Sequence, residues 1–308
     1  MPWPRRPFAA RADAARRRRA EAGGNPRSGS SRPDDIGTRL AASSDRDEAL
    51  PCEDPVLICS AGWRSRSTLL QRMCLADPRV LVWGEALDRC GILQSLAAQW
   101  RPIDARWPNE RHLLAPGDPP PAADRWLANL SPPLASLRLG QRRLLDTLFG
   151  EPARAAGRSR WGLKEVRLGG EEIRWFRMLL PETRIVLLVR DPVEAFESYA
   201  PRGPWFERWP DRPVTTASAF AEMWSRLVED FLELADEPGI MLVRDDELES
   251  RRDELAAHLD LELALPSALE RIPGGAELHE DRRATAGELR TVRRLTGNLR
   301  RRLGIQGP

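Results

Sequence analysis

The sequence predicts a doubly wound α/β fold, a parallel sheet with helices on both faces. Three observations lead there: apolar runs of strand length recur along the chain, segments of helical period separate them, and the strand–helix junctions carry helix-start signals. Val56-Leu57-Ile58-Cys59 is a continuous apolar run suited to a strand buried on both faces. It leads through a Gly-Trp-Arg-Ser turn into a helix expected over Ser67 to Ala76, stopped by Asp77-Pro78. Val80 to Trp83 reads as the next strand, and a second helix is expected from Glu85 towards Trp100.

Residues 101–133 are rich in proline and carry no period, so they form a long excursion, read as a lid or substrate loop. A helix follows around Leu134 to Phe149, and Trp161 to Lys164 is a short strand candidate, weak by itself. Ile173, Phe176 and Leu180 share a helical face, and Arg184 to Val189 is the strongest strand pattern in the chain. Asp191-Pro192 pairs an N-cap with proline at the first helical position. Phe220, Trp224, Leu227, Phe231 and Leu234 form an amphipathic stripe facing a core. Ile240 to Val243 is a last buried strand, and the arginine-rich stretch from Arg282 to Leu303 is expected to be helical.

Composition bounds the function. The 308 residues carry a formal net charge of +2, with 41% hydrophobic and 31% charged residues, which is ordinary for a globular protein. No run approaches the roughly 18 apolar residues of a membrane span, and no apolar segment follows the basic start, so neither a membrane span nor a secretory signal is expected. Residues 1–32 hold nine arginines against Asp13 and Glu21. Residues 1–50 are therefore expected to be a disordered Arg-rich tail, and residues 51–308 a single domain. That domain is mildly acidic, which argues against a nucleic-acid partner. Cys52, Cys59, Cys74 and Cys90 include no C-x-x-C pair, and His112, His258 and His279 stand apart from them. No metal-ligand spacing results, and the thiols read as reduced, mostly packed groups.

In doubly wound sheets ligands sit beyond the carboxyl ends of the strands. Two junctions there suit anions. In Gly62-Trp63-Arg64-Ser65-Arg66-Ser67-Thr68, free backbone N–H groups at a helix start favour a phosphate or sulfate. The Ser65, Ser67 and Thr68 hydroxyls and the Arg64 fork add donors. The loop lacks the lysine of a Walker A motif, since Lys164 is the sole lysine in the chain, and this disfavours nucleoside triphosphate hydrolysis. At the second junction Arg190 leaves the strand, Ser198 lies about two helical turns on, and Arg202 follows four residues later. A second phosphate fits between them.

These segments resemble the sulfotransferase family. Arg64-Ser-Arg-Ser-Thr-Leu-Leu is similar to its 5′-phosphosulfate loop, and Arg190-Asp-Pro with Ser198 is similar to its 3′-phosphate motif. Gly84-Glu85 lies 21 residues after Arg64, and Lys164 lies 26 before Arg190, intervals that resemble tyrosylprotein sulfotransferases and related bacterial enzymes. Val243-Arg244-Asp245-Asp246-Glu247-Leu248 resembles a later R-Y-E-x-L element.

The resemblance implies the P-loop-like fold of that family and the donor PAPS, 3′-phosphoadenosine-5′-phosphosulfate, with no metal. It implies Glu85 as general base, with Arg64 and Lys164 stabilising the leaving oxygen. Arg64, Ser65, Arg66, Ser67 and Thr68 would then bind the 5′ end of the donor, and Arg190, Ser198 and Arg202 its 3′-phosphate. The acceptor would be a hydroxyl of a sugar, lipid, natural product or peptide, in a cytoplasmic bacterial enzyme.

Two departures stand out. Arg66 replaces a glycine where a positive φ is wanted, and Asp245 replaces a tyrosine near the 3′-phosphate, where a carboxylate would repel, so Asp245 is not assigned to the site. Plainer roles also exist: Glu85 as a helix-start glutamate, Lys164 as a surface lysine, Ser198 as a helix serine. Trp63, Trp205 and Trp209 are core anchors or candidates to line the adenine or acceptor pocket. Two rival functions are a phosphotransferase of related architecture and a catalytically degenerate nucleotide-binding or interaction protein.

Overall fold

The computed structural model describes residues 49–305, apart from 53, 88–89, 105, 115–116, 120–126, 202–213 and 266–281. Five strands, β1 (Val56–Ser60), β2 (Val80–Trp83), β3 (Arg160–Glu165), β4 (Arg184–Val189) and β5 (Ile240–Arg244), form a parallel sheet in the order β2-β3-β1-β4-β5. The order reverses on either side of β1, which creates the crevice where such sheets bind ligands.

Apolar residues fill both faces of the sheet, which explains the unbroken strand runs. Leu57, Cys59, Trp161, Leu163, Ile185, Leu187 and Val189 belong to the larger core. Val56, Ile58, Val80, Val82, Val186, Leu188, Met241 and Val243 belong to the second. Nine α-helices are described: α1 (Ser67–Cys74), α2 (Ile92–Ala98), α3 (Leu134–Leu145), α4 (Glu151–Ala155), α5 (Gly170–Leu179), α6 (Pro192–Tyr199), α7 (Ala217–Leu234), α8 (Arg252–Leu259) and α9 (Ala286–Arg302). The stripe from Phe220 to Leu234 lies on α7 and is fully buried, with Phe220 packed edge-on against Phe196 of α6 at 5.2 Å. On the opposite face Leu70 and Met73 of α1 join Leu255 and Leu259 of α8.

Local signals start the helices as expected. The Asp191 carboxylate accepts from Val193 N at 2.8 Å, with Pro192 in the first turn of α6. Thr285 and Glu288 close a capping box at the start of α9.

One expectation needs correction, and two are extended. The helix expected from Glu85 begins at Ile92. Gly84 to Leu87 is a turn, closed by Ala86 N donating to Gly84 O at 2.6 Å, and Leu87 and Gly91 hold φ values of 56° and 54° that interrupt any helix. Glu85 is therefore a loop residue. The weak candidate at Trp161 is a six-residue central strand, buried at every position because β1 and β2 flank it. The helix after Leu134 passes at Asp146 into a π turn, where the Asp146 carboxylate pairs with Arg154 at 2.8 Å. Residues 1–48 of the expected tail lie outside the described residues. Within the excursion, Leu113 and Ser131 form a parallel bridge. No helix among the described residues is long and apolar enough to cross a membrane.

Candidate active site

The β1–α1 loop leaves the centre of the sheet. Positive φ recurs at every second residue: Gly62 at 84°, Arg64 at 64° and Arg66 at 61°. Alternating handedness turns successive N–H groups towards one concavity, an arrangement that binds anions. Glycine is favoured at position 62, which lies in the left-handed region and where a Cβ would stand 2.7 Å from the flexible end of Met223, its Cε. The Ser60 and Ser65 hydroxyls both donate to Gly62 O, at 3.1 and 3.2 Å. Ser65 and Ser67 are buried, whereas Thr68 is exposed. Arg66 is the N-cap residue of α1 and adopts the left-handed geometry wanted of the glycine it replaces.

β1 lies between β3 and β4, so the loop is flanked by Lys164 on one side and Arg190 on the other. The Arg64 Nε donates to Ser198 Oγ on α6 at 3.0 Å, and Arg190 Nη1 donates to Arg64 O at 2.9 Å. Loop and second junction are thus joined directly. Arg190 also meets Glu194 at 3.0 Å and Asp245 at 3.3 Å, and its own carbonyl accepts from Trp224 Nε1 at 3.1 Å. Arg66 Nε reaches the same Asp245 oxygen at 3.4 Å. Burial pushes the Asp245 carboxyl up to about 6, against the pull of Arg190 and Arg66.

Across the crevice, at the ends of β2 and β3, Lys164 Nζ donates to Glu85 Oε1 at 2.5 Å. The lysine side chain is 6% exposed and the glutamate 27%. Gln71 of α1 donates to Val82 O at 2.8 Å, tying the end of β2 to the helix that the anion loop starts. Trp63 is buried and stacks on Tyr199 with ring centroids 5.9 Å apart, so it anchors the loop to α6. Behind the site, Arg300 of α9 pairs with Asp191 at 2.7 Å and fixes the N-cap of α6.

Of the residues singled out in the sequence, Arg64, Ser65, Arg66, Ser67, Thr68, Lys164, Glu85, Arg190 and Ser198 all stand at carboxyl ends of strands or on the helices that follow them. Arg202, Trp205 and Trp209 lie outside the described residues. Asp245, left out of the site on grounds of repulsion, sits against both Arg66 and Arg190, whose charges accommodate it. Sequence reasoning also missed Glu194, Trp224 and Arg300. Only Glu194 carried a local signal, its spacing of four from Arg190 on one helix. The crevice brings together a loop of alternating handedness, the Arg190 guanidinium close to Ser198, and a carboxylate and an ammonium on the far side.

Three solved structures are similar in outline. The sulfotransferase domain from the Synechococcus PCC 7002 olefin synthase aligns over 85% of this chain and 99% of its own at 14% identity, with a TM-score of 0.46. The sulfotransferase domain from the curacin biosynthetic pathway gives 85%, 100%, 15% and 0.47 in the same measures. Mouse sulfotransferase SULT7A1, complexed with PAP, gives 85%, 68%, 11% and 0.32. No curated protein matches the sequence significantly. Residues 55–248, from the first strand to just beyond the last, match the pattern described as the sulfotransferase family, and the chain belongs to that family.

Proposed function

We propose that this sulfotransferase takes its sulfuryl group from PAPS and delivers it to a hydroxyl of a sugar, lipid, natural product or peptide, within one catalytic domain spanning residues 51–308. The observation that carries the reading is that the loop from Gly62 to Arg66 and the Arg190–Ser198 junction, read as two anion seats, are braced to each other. A donor with charge at both its 5′ and 3′ positions matches two seats on neighbouring strand ends.

In this reading the loop amides, Ser65, Ser67 and Thr68 hold the 5′-phosphosulfate, and Arg190 and Ser198, with Arg202, hold the 3′-phosphate. Glu85 accepts the proton of the acceptor hydroxyl as its oxygen bonds to sulfur. The S–O bond to the nucleotide breaks, and Arg64 and Lys164 stabilise the charge that gathers on the leaving oxygen. The Glu85–Lys164 ion pair supports both roles, because a phosphosulfate that draws the ammonium away leaves the carboxylate free to take a proton.

Calorimetry with adenosine 3′,5′-bisphosphate and with ATP tests the donor. The bisphosphate is expected to bind at least about tenfold more tightly, and Arg190→Ala to weaken it by a similar factor. Glu85→Gln should keep nucleotide binding and slow transfer of labelled sulfuryl groups by about 10²–10⁴-fold. Preference for ATP with Mg²⁺ would favour a phosphotransferase, and an unchanged rate in Glu85→Gln would remove the base assignment.

A further inference from the structure

Among the described residues, Asp245 is a buried charged group of the crevice that sulfuryl transfer leaves without a task. It follows β5 directly and is 7% exposed. Its Oδ2 stands 3.3 Å from Arg190 Nε and 3.4 Å from Arg66 Nε. A single oxygen thus bridges cations from the end of β4 and the start of α1, the place an incoming oxyanion would take. Glu194, exposed on α6, gives Arg190 a second carboxylate at 3.0 Å. Asp246, next in the chain, is turned to Arg244 at 3.0 Å. Arg66 and Arg190 are therefore matched by Asp245 and Glu194, and a phosphate arriving between them meets no net positive charge from this group.

Two routes relieve the repulsion. Glu194 is long and exposed, so it can turn into water. Asp245 is short, buried and fixed at a strand end, and for such a group taking up a proton costs less than moving a charge through the protein.

We propose that Asp245 is a resident counter-anion of the donor pocket, one that neutralises Arg190 and Arg66 beside the 3′-phosphate position and makes binding of a 3′-phosphorylated nucleotide proton-coupled. The proposal rests on the donor reading above. Its consequence is a specificity that depends on pH: Asp245 disfavours a 3′-phosphate when ionised and tolerates it when neutral. The rise of the Asp245 carboxyl to about 6 through burial puts this change near neutrality. A dianion beside it raises it further, so affinity for a 3′-phosphate falls by up to about tenfold per pH unit above that point.

The test is calorimetry with adenosine 3′,5′-bisphosphate and with AMP, from pH 6 to 8, in buffers of differing ionisation enthalpy. AMP shares the 5′-phosphate and lacks the 3′-phosphate, so the ratio of the two affinities isolates the second seat. In the wild type the preference for the bisphosphate should fall at least tenfold across this range, with proton uptake on binding. Asp245→Asn, equal in shape and uncharged, should bind the bisphosphate at least tenfold more tightly at pH 8, show no such fall, and bind AMP within about threefold of the wild type. A bisphosphate affinity in Asp245→Asn equal to or weaker than the wild type overturns the proposal and leaves the donor reading intact. A flat wild-type ratio without proton uptake does the same, and decides the matter should the variant fail to fold. Binding of neither nucleotide to either protein overturns the donor reading and this proposal together.

Discussion

The ion pair between Glu85 and Lys164 joins two partners of unequal burial, and the inequality predicts an asymmetric response to mutation. The lysine side chain is 6% exposed and the glutamate 27%. Glu85→Ala leaves a buried ammonium without its carboxylate. Breaking a buried pair from one side costs about 3–5 kcal/mol, and the partial exposure of Glu85, which lets water reach the cavity, reduces this to about 2 kcal/mol. Lys164→Met removes the charge, keeps most of the volume and leaves behind a carboxylate already in contact with solvent, so its cost is about 1 kcal/mol or less. The double variant has no stranded charge and should recover about 1 kcal/mol relative to the sum of the two single effects. Urea denaturation at pH 7, with free energies extrapolated linearly to water, measures all four proteins. A Lys164→Met variant less stable than Glu85→Ala would refute the reasoning, and so would strict additivity of the pair.

Gly62→Ala places a methyl in the left-handed region and against Met223, so it should destabilise the fold by about 1–3 kcal/mol, and shortening the obstacle with Met223→Ala should relieve only the steric part in the same denaturation assay. Gln141→Leu orphans two buried indole donors, Trp100 Nε1 and Trp175 Nε1, each 2.8 Å from Gln141 Oε1; a loss of about 2–4 kcal/mol is expected, and a loss below about 1 kcal/mol would mean that water satisfies both rings. The Asp245 carboxyl lies at about 6 in the fold and near 4 in an unfolded chain, so the folded state holds the extra proton between those values. Its contribution to stability is full below about pH 4 and is lost as pH rises through 6. The difference in stability between wild type and Asp245→Asn should therefore shift by on the order of 2 kcal/mol from pH 4 to pH 7, and a constant difference would contradict the assignment.

The parts of this fold legible in the sequence are those set by local rules. Val56 to Cys59 and Arg184 to Val189 read as strands because burial on both faces demands unbroken apolar runs, and Asp191-Pro192 marked the start of α6 because capping involves only neighbouring residues. β3 gave only a weak strand signal, since Gly162 and Lys164 interrupt its apolar pattern and its burial comes from β1 and β2 on either side. The turn around Glu85 was hidden for a related reason: Glu85, Ala86 and Leu87 are good helix formers, and backbone handedness at Leu87 and Gly91 overrides their propensity. In the candidate site, the arginine- and serine-bearing loops stand out by composition. The contact of Asp245 with Arg66 and Arg190 did not, because it depends on where β5 and α1 end relative to β4, a matter of sheet order.

The same contacts explain how the anion loop keeps its shape. Arg64 and Arg66 each hold a left-handed conformation that costs a side-chain-bearing residue about 1–2 kcal/mol, and nothing in their own side chains favours it. Stabilisation comes from outside the loop. Arg190 Nη1 grips the Arg64 carbonyl, Ser198 receives the Arg64 side chain, and Asp245 draws in Arg66. Those partners follow β4, lie on α6 or follow β5. The left-handed geometry of the loop is therefore maintained by residues of the neighbouring β4–α6 junction and of the end of β5. Two segments that look separate along the chain form one braced unit, and a change at Arg190 must reach the backbone of the β1–α1 loop.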